Sequence, residues 1–223
     1  TERGIVGAHG YFTERAVDDE GDLILIPNAI REHAVLVEPL SVVEKAVENA
    51  FRMHPGQPET AIVLGAGTIG LLTAMVLRIR GVEVTVTSLE PPNSERAKLA
   101  EAAGANYRTK PEGQYDIAIE ASGAHAAANL AIASLGSAGV LVLLGVTPAL
   151  EVSVLQLILR NQVISGSVNA APSDFLLAVE DLSAMPVAVL RSMIKREPFS
   201  AFRSTLLGPL RAAPKIVHVA DSF

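Results

Sequence analysis

Ala61-Ile62-Val63-Leu64-Gly65-Ala66-Gly67-Thr68-Ile69-Gly70 is a short apolar strand that runs into three spaced glycines, and Leu71-Leu72-Thr73-Ala74-Met75-Val76-Leu77 continues it as an amphipathic helix. Gly65 allows the tight turn that leaves the strand. Gly67, without a Cβ, lets backbone approach a pyrophosphate, and Gly70 lets the helix pack close to the sheet. The helix start, with Thr68 and Ile69 in its first turn, offers unpaired N–H groups and a positive dipole end to phosphate. A bare G-x-G-x-x-G recurs by chance, but this one has the required strand before it and helix after it. The reading is a cradle for a nicotinamide dinucleotide; the alternative is a glycine turn with a purely structural role.

Working outward, strands at 61–64, 82–88, 115–119, 140–144 and 163–168 alternate with helices at about 68–80, 94–103, 125–135 and 154–161. Asn106-Tyr107-Arg108 adds a short strand after the Gly104 stop. Nearly continuous apolar strands interleaved with helices imply a parallel sheet covered on both faces. Right-handed crossovers make it an α/β, doubly wound Rossmann fold. Upstream, Tyr11 to Val17 and Leu23 to Ile26 read as strands joined by the turn Asp18-Asp19-Glu20-Gly21, and Ala34 to Val37 reads as a third. Glu38-Pro39 then opens a helix with Leu40, Val43, Val47, Ala50 and Phe51 on one face, stopped by His54-Pro55-Gly56-Gln57-Pro58. Downstream come helices at about 173–182 and 187–195 and a final strand at 215–219. The organisation expected is 1–54, 55–170 and 171–223, with the dinucleotide domain in the middle.

Bulk composition narrows the function classes. The chain has 223 residues, 49% hydrophobic and only 19% charged, which is enough to bury a real core without a disordered tract. A net charge of −6 argues against nucleic acid or an anionic membrane as partner. The longest apolar runs are too short to span a bilayer, and no segment resembles a signal peptide, so the expected compartment is cytoplasmic. The lack of cysteine excludes disulfides and thiolate metal sites within this chain. The five histidines (His9, His33, His54, His125, His218) show no metal-ligand spacing, and no nucleophile elbow or Walker lysine loop is present. The chain opens at Thr1 without methionine, which reads as a fragment or processed product.

In a doubly wound sheet the ligand lies beyond the carboxyl ends of the strands. Those ends are Leu64-Gly65, Ser88-Leu89-Glu90, Ala121-Ser122-Gly123, Leu144-Gly145-Val146 and Ser167-Val168-Asn169. Glu90, twenty residues beyond Gly70, is placed to accept hydrogen bonds from the adenosine ribose and to repel a 2′-phosphate. No arginine stands at that strand end, since Arg96 is six residues further on, so NAD is favoured over NADP. The competing reading of Glu90 is a solvated loop acid.

Together these segments resemble the medium-chain dehydrogenase/reductase superfamily and, within it, the zinc-dependent glucose (aldose) 1-dehydrogenases. The resemblance is carried by Glu2-Arg3-Gly4-Ile5 with Gly10-Tyr11-Phe12, and by Leu36-Val37-Glu38-Pro39-Leu40-Ser41-Val42-Val43-Glu44-Lys45. Gly65 to Gly70, Glu120-Ala121-Ser122-Gly123 and Gly145-Val146 match the superfamily at large. Leu159-Arg160-Asn161, Gly166-Ser167-Val168-Asn169-Ala170, Phe175 and Ala178-Val179-Glu180-Asp181-Leu182 form the most group-specific stretch. The resemblance implies a GroES-like catalytic domain built from both chain ends around the dinucleotide domain. It also implies an N-terminal zinc-binding portion that this chain lacks.

By the same resemblance, Glu38 stands at or near a catalytic zinc, Glu2 hydrogen-bonds sugar hydroxyls, and Asn169 lies near nicotinamide and substrate. Zinc needs three or four converging ligands, and Glu38 supplies one, so this chain alone is expected to hold no tight zinc. Each residue has a plainer reading: Glu38 as a helix-dipole carboxylate, Glu2 as a frayed terminus, Asn169 as a loop asparagine. The implied activity is hydride transfer from C1 of an aldose or related alcohol to NAD (NADP being possible), giving a lactone, in a homo-dimer or homo-tetramer. Two rivals are a zinc-free medium-chain quinone or enone reductase and a catalytically inactive dinucleotide-binding module.

Overall fold

The computed structural model describes residues 2–4, 6–11, 13, 15–208 and 213–219, with the Glu2 side chain outside the described set. Two short strands, β1 (Glu2–Arg3) and β2 (Gly7–Ala8), precede a 3-10 turn at Glu20–Asp22 and a 3-10 helix at Asn28–Leu36. Then come α1 (Val37–Met53), β3 (Thr60–Leu64), α2 (Thr68–Ile79), β4 (Glu83–Thr87), α3 (Glu95–Ala102) and β5 (Asn106–Arg108). The second half runs β6 (Tyr115–Glu120), α4 (His125–Ala133), β7 (Leu135–Leu143), α5 (Val154–Arg160) and β8 (Val163–Gly166). The tail has α6 (Pro172–Ala184), α7 (Val187–Met193), β9 (Ile194–Pro198), α8 (Phe202–Leu207) and β10 (Lys215–Val219).

Six strands form one parallel sheet in the order β5-β4-β3-β6-β7-β8. The order reverses between β3 and β6, the switch point of a doubly wound sheet. Side chains alternate across it, as a period of two requires. Ala61, Val63, Val84, Val86, Ile117, Ile119, Val140 and Val142 face one large core. That core also takes in Leu40, Val43 and Val47 of α1, Leu71 and Met75 of α2, and Ala178 and Leu182 of α6. Ile62, Leu64, Ala118 and Leu141 face a smaller core on the side of α4. No helix among the described residues is long and apolar enough to cross a membrane.

Upstream of α1 the strand expectations fail. The described part of 11–17 and all of 23–26 form no strand, while Phe12 and Glu14 lie outside the described residues. Apolar side chains there find no sheet face to bury against: Val17 is 88% and Leu25 91% exposed. Ala34 to Val37 is the end of the 3-10 helix and the first residue of α1. Ile30, His33 and Leu36 are its buried residues, spaced by three, the period of a 3-10 turn rather than a strand. Two further differences lie in the later half. β7 starts at Leu135 rather than Val140, through a register shift with Ala138 at φ +60°. α7 stops at Met193, and the charged stretch Ile194–Pro198 becomes β9, paired with β10.

α1 and α6 are joined by a buried charged cluster. Arg80, at the end of α2, donates from Nη2 to Glu44 Oε2 at 3.0 Å, and its Nη1 forms an ion pair with Asp181 Oδ2 at 2.8 Å. Glu44 is only 2% exposed. Burial, then the Asp181 charge and a hydrogen bond with it, pushes the Glu44 carboxyl up from 4.5 to about 8, while Arg80 pulls down and Asp174 pushes up. The folded state therefore holds a proton that the unfolded chain releases above its own, lower pKa. This stability is complete below about pH 4.5 and is lost as pH rises to about 8. Urea titrations should show unfolding free energy falling with pH across that window, by at most about 1.4 kcal/mol per pH unit from this group. Glu44→Gln should flatten the slope, and an identical slope in both proteins would refute the assignment.

Candidate functional site: the carboxyl edge of the sheet

The switch point is built by backbone. Gly65 N–H donates to Thr87 O at 2.8 Å and Ala121 N–H to Leu64 O at 2.9 Å, tying the ends of β3, β4 and β6 together. Gly65 has φ +117°, which disfavours any side chain, and a Cβ there would stand 3.2 Å from the Ser122 backbone nitrogen. Gly70 packs so closely on the turn that a Cβ would overlap the Gly65 carbonyl oxygen. Gly67 caps α2 with no side-chain hydrogen bond, so the first N–H groups of this twelve-residue helix are left for a ligand. The space a Gly67 Cβ would fill is bounded by Arg96 Nη1 at 3.7 Å.

Beyond β4, Ser88 and Glu90 come together with two residues that the sequence reading did not place in the site. Ser88 Oγ donates to Glu90 Oε2, the Tyr107 hydroxyl donates to the Glu90 backbone oxygen at 2.6 Å, and Arg96 Nε lies 3.4 Å from Glu90 Oε1. Burial raises the Tyr107 phenol above its ordinary value, with the Ser88 hydrogen bond opposing and the Glu90 charge adding. Arg96 also donates from Nη1 to Ala66 O at 3.2 Å, so one guanidinium bridges the glycine turn and the acidic strand end. The signal for Arg96 was its position in the first turn of α3, whose start faces the same edge.

On the other half, the Glu120 carboxylate is fully buried and folds the following turn around itself. Its Oε1 accepts from Ser122 N–H at 2.7 Å, Ser122 Oγ at 2.5 Å and Gly123 N–H at 3.0 Å. Gly145 N–H donates to Glu120 O at 3.0 Å, bringing the β7 end alongside. Val146 and Val168 are 97% and 71% exposed, and Leu89 beyond β4 is 97% exposed. These apolar residues stand along the edge where flat rings of a ligand would lie. Thr87 Oγ1 and Ser167 Oγ are buried beneath it without a hydrogen-bond partner among the described residues. The Thr68 hydroxyl donates to Pro214 O at 2.8 Å, so the segment before β10 reaches the start of α2, a contact no local pattern announces.

The substrate-side candidates are less assembled. Glu38 is in the first turn of α1, exposed, and its carboxylate makes no hydrogen bond or ion pair among the described residues. Asn169 has φ +60° in the exposed loop after β8. Glu2 is placed in β1 by its backbone alone. No group of three or more histidine, cysteine, aspartate or glutamate residues among those described is arranged to hold a metal. A dinucleotide fits the edge, whereas zinc does not fit the described residues.

Strand order, glycine turn and uncapped α2 define a Rossmann domain of the kind dehydrogenases use. A family model described as the glucose dehydrogenase C-terminus matches residues 31–206, and the chain belongs to that family. Its relatives include glucose 1-dehydrogenase 2 of Vulcanisaeta moutnovskia, 41% identical over 195 residues, and the glucose 1-dehydrogenase of Thermoproteus tenax, 40% identical over the same length. Each alignment covers 81% of this chain and 56% of the relative, so the chain spans little more than half the length of these proteins. The Haloferax mediterranei glucose dehydrogenase, solved in complex with NADP, zinc and gluconolactone, superposes with a TM-score of 0.85 at 29% identity. That match covers 96% of this chain and 66% of the other.

Proposed function

We propose that this chain is the cofactor-binding part of an NAD(P)-dependent glucose dehydrogenase of the zinc-type medium-chain family. The observation that carries the reading is the Gly65–Gly70 turn at the switch point, opening onto free helix N–H groups. In the proposed reaction a hydride leaves C1 of an aldose such as glucose, the hydroxyl proton is released, and a lactone results. The bound nicotinamide supplies the hydride acceptor.

The chain's own residues bind and align. Gly67, Thr68, Ile69 and Gly70 are proposed to seat the diphosphate with backbone N–H groups, and Gly65, whose own N–H is taken by Thr87 O, shapes the turn beside it. Ser88 and Glu90 hold the adenosine ribose, and Ser122, Gly123, Gly145, Val146, Val168 and Asn169 brace the nicotinamide half. Asn169 has an amide that both donates and accepts, Glu2 is proposed for sugar hydroxyls, and Glu38 is the one candidate zinc ligand. Zinc enters only with ligands from outside this chain. Residues 1–54 and 171–223 are proposed to belong to the catalytic domain; β9 and β10 pairing outside the six-stranded sheet supports this for the tail, whereas α1 and α6 pack into the core of the dinucleotide domain.

Titration with NADH, followed by its fluorescence, tests the central claim; no signal at millimolar cofactor would end it. Glu90, bonded by Ser88, favours NAD, but the structure brings Arg96, absent from that strand end in the sequence, to 3.4 Å from Glu90 Oε1, where it can receive a 2′-phosphate. NADH is therefore expected to bind tighter than NADPH by less than about tenfold, under about 1.4 kcal/mol. Glu90→Gln should narrow that ratio, because it removes the charge that repels a 2′-phosphate. An unchanged ratio would take Glu90 out of the ribose site.

A homo-dimer is also proposed, joined through the β8 edge. α5 has no buried residue, and Leu155, Ile158 and Leu159 are 66%, 65% and 71% exposed. It lies beside a strand whose outer edge is unpaired among the described residues. A two-fold axis would pair both features with themselves. Light scattering should give a dimer mass that Ile158→Glu reduces to the monomer, or a tetramer mass that it reduces to the dimer; a monomeric parent, or a mass unchanged by the substitution, would refute the pairing.

A further inference from the structure

We infer that Lys45 is a positioning residue for the nicotinamide half of the site, an inference that rests on the cofactor reading above. Its Nζ donates to the Val168 backbone oxygen at 2.8 Å, across 123 residues of chain. Lys45 is half-buried and forms no ion pair among the described residues, although acidic Glu44 adjoins it in sequence. Glu44 is instead engaged with Arg80. An ammonium directed at a lone carbonyl makes a charge-assisted hydrogen bond whose effect is to fix a peptide plane.

That plane matters because of where it lies. The loop from Ser167 to Ala171 is tied at one end by Ser167 N–H donating to Leu143 O at 3.0 Å. At the other end Ala171 N–H donates to Asp174 Oδ2 at 2.6 Å. Between them, among the described residues, the Lys45 bond is the one that holds the loop. Val168 O turned toward α1 sends the Asn169 N–H to the opposite side, since the two groups are antiparallel across a trans peptide. Asn169 follows with φ +60°, a conformation that persists when its surroundings hold it. In a doubly wound sheet the β3–β5 half takes the adenosine and the β6–β8 half the nicotinamide. Lys45 therefore acts on one half of the ligand. It is also two turns along α1 from Glu38, on the same helix face, so one helix sets both the candidate metal carboxylate and the nicotinamide loop.

The test compares NADH with ADP-ribose, which lacks nicotinamide, on the parent chain, Lys45→Met and Lys45→Arg. The expected result is NADH binding about tenfold weaker in Lys45→Met, unchanged ADP-ribose binding, and substantial recovery of NADH affinity in Lys45→Arg. Equal weakening of both ligands, no weakening of either, or no recovery with arginine would overturn the inference. Should Lys45→Met fail to fold, Lys45→Gln replaces it; failure of both would make Lys45 a support of the fold and also overturn it. A parent chain that binds neither ligand would instead defeat the cofactor reading, and the two failures are thus distinguishable.

Discussion

Gly70→Ala should leave a protein that is largely unfolded or, where folded, unable to bind NADH. A methyl group at 70 overlaps the Gly65 carbonyl and meets Val63 Cγ1 at 3.4 Å. Neither neighbour has room to retreat. Gly65 is held by its N–H bond to Thr87 O and has the Ser122 backbone 3.2 Å from its own Cβ position, while Val63 is a fully buried residue of the central strand. Overpacking of a core costs about 1–3 kcal/mol when side chains absorb it, and here the obstacle is backbone, so about 3 kcal/mol is a lower bound. Thermal melts and NADH titration check the outcome. Gly56→Ala, where nothing lies within 4 Å, is the control expected to melt like the parent. A Gly70→Ala protein indistinguishable from that control would refute the packing described for the turn.

Glu120→Ala should produce the second large loss. The substitution leaves two backbone N–H groups and a hydroxyl without their acceptor, at the bottom of a turn that positions Ser122 and Gly123. An unsatisfied buried donor costs about 1–3 kcal/mol; Ser122 is exposed and Gly123 half-buried, so water takes up part of the loss and the backbone pair amounts to about 2 kcal/mol. At about 2–4 °C per kcal/mol for a chain of this size, the melting temperature should fall by roughly 4–8 °C. Glu120→Gln keeps an acceptor oxygen and should lose distinctly less. Equal melting of the alanine variant and the parent would show that the turn stands without this carboxylate.

The Rossmann core was legible because its signals are local and repeated. Apolar runs bounded by glycine identify β3 and β6, and helix periodicity identifies α2 and α3, with ends within a residue or two of those observed. The carboxyl edge proposed for the cofactor could be located for the same reason, since strand ends are sequence positions. Arg96, Tyr107 and Lys45 were not, because each acts through a bond to a residue 6 to 123 positions away. The segment before α1 misled because apolar residues such as Val17 and Leu25 have strand composition but no sheet partner. β9 was missed for the opposite reason: Ile194–Pro198 is mostly charged or proline, and its pairing with β10 twenty-one residues later decides its state.

The strand order carries a consequence for synthesis. β3, the central strand, gains β4 soon after it is made, but its other neighbour, β6, pairs Glu120 with Leu64, fifty-six residues further along. At about 5–20 residues per second, one apolar edge of Ile62, Val63 and Leu64 waits roughly 3–11 seconds for its partner during translation. In that interval the nascent chain presents an open ribbon to any other strand nearby. Heterologous production at slow elongation rates should therefore favour inclusion bodies, and the remedy lies with chaperones or temperature rather than with the finished fold.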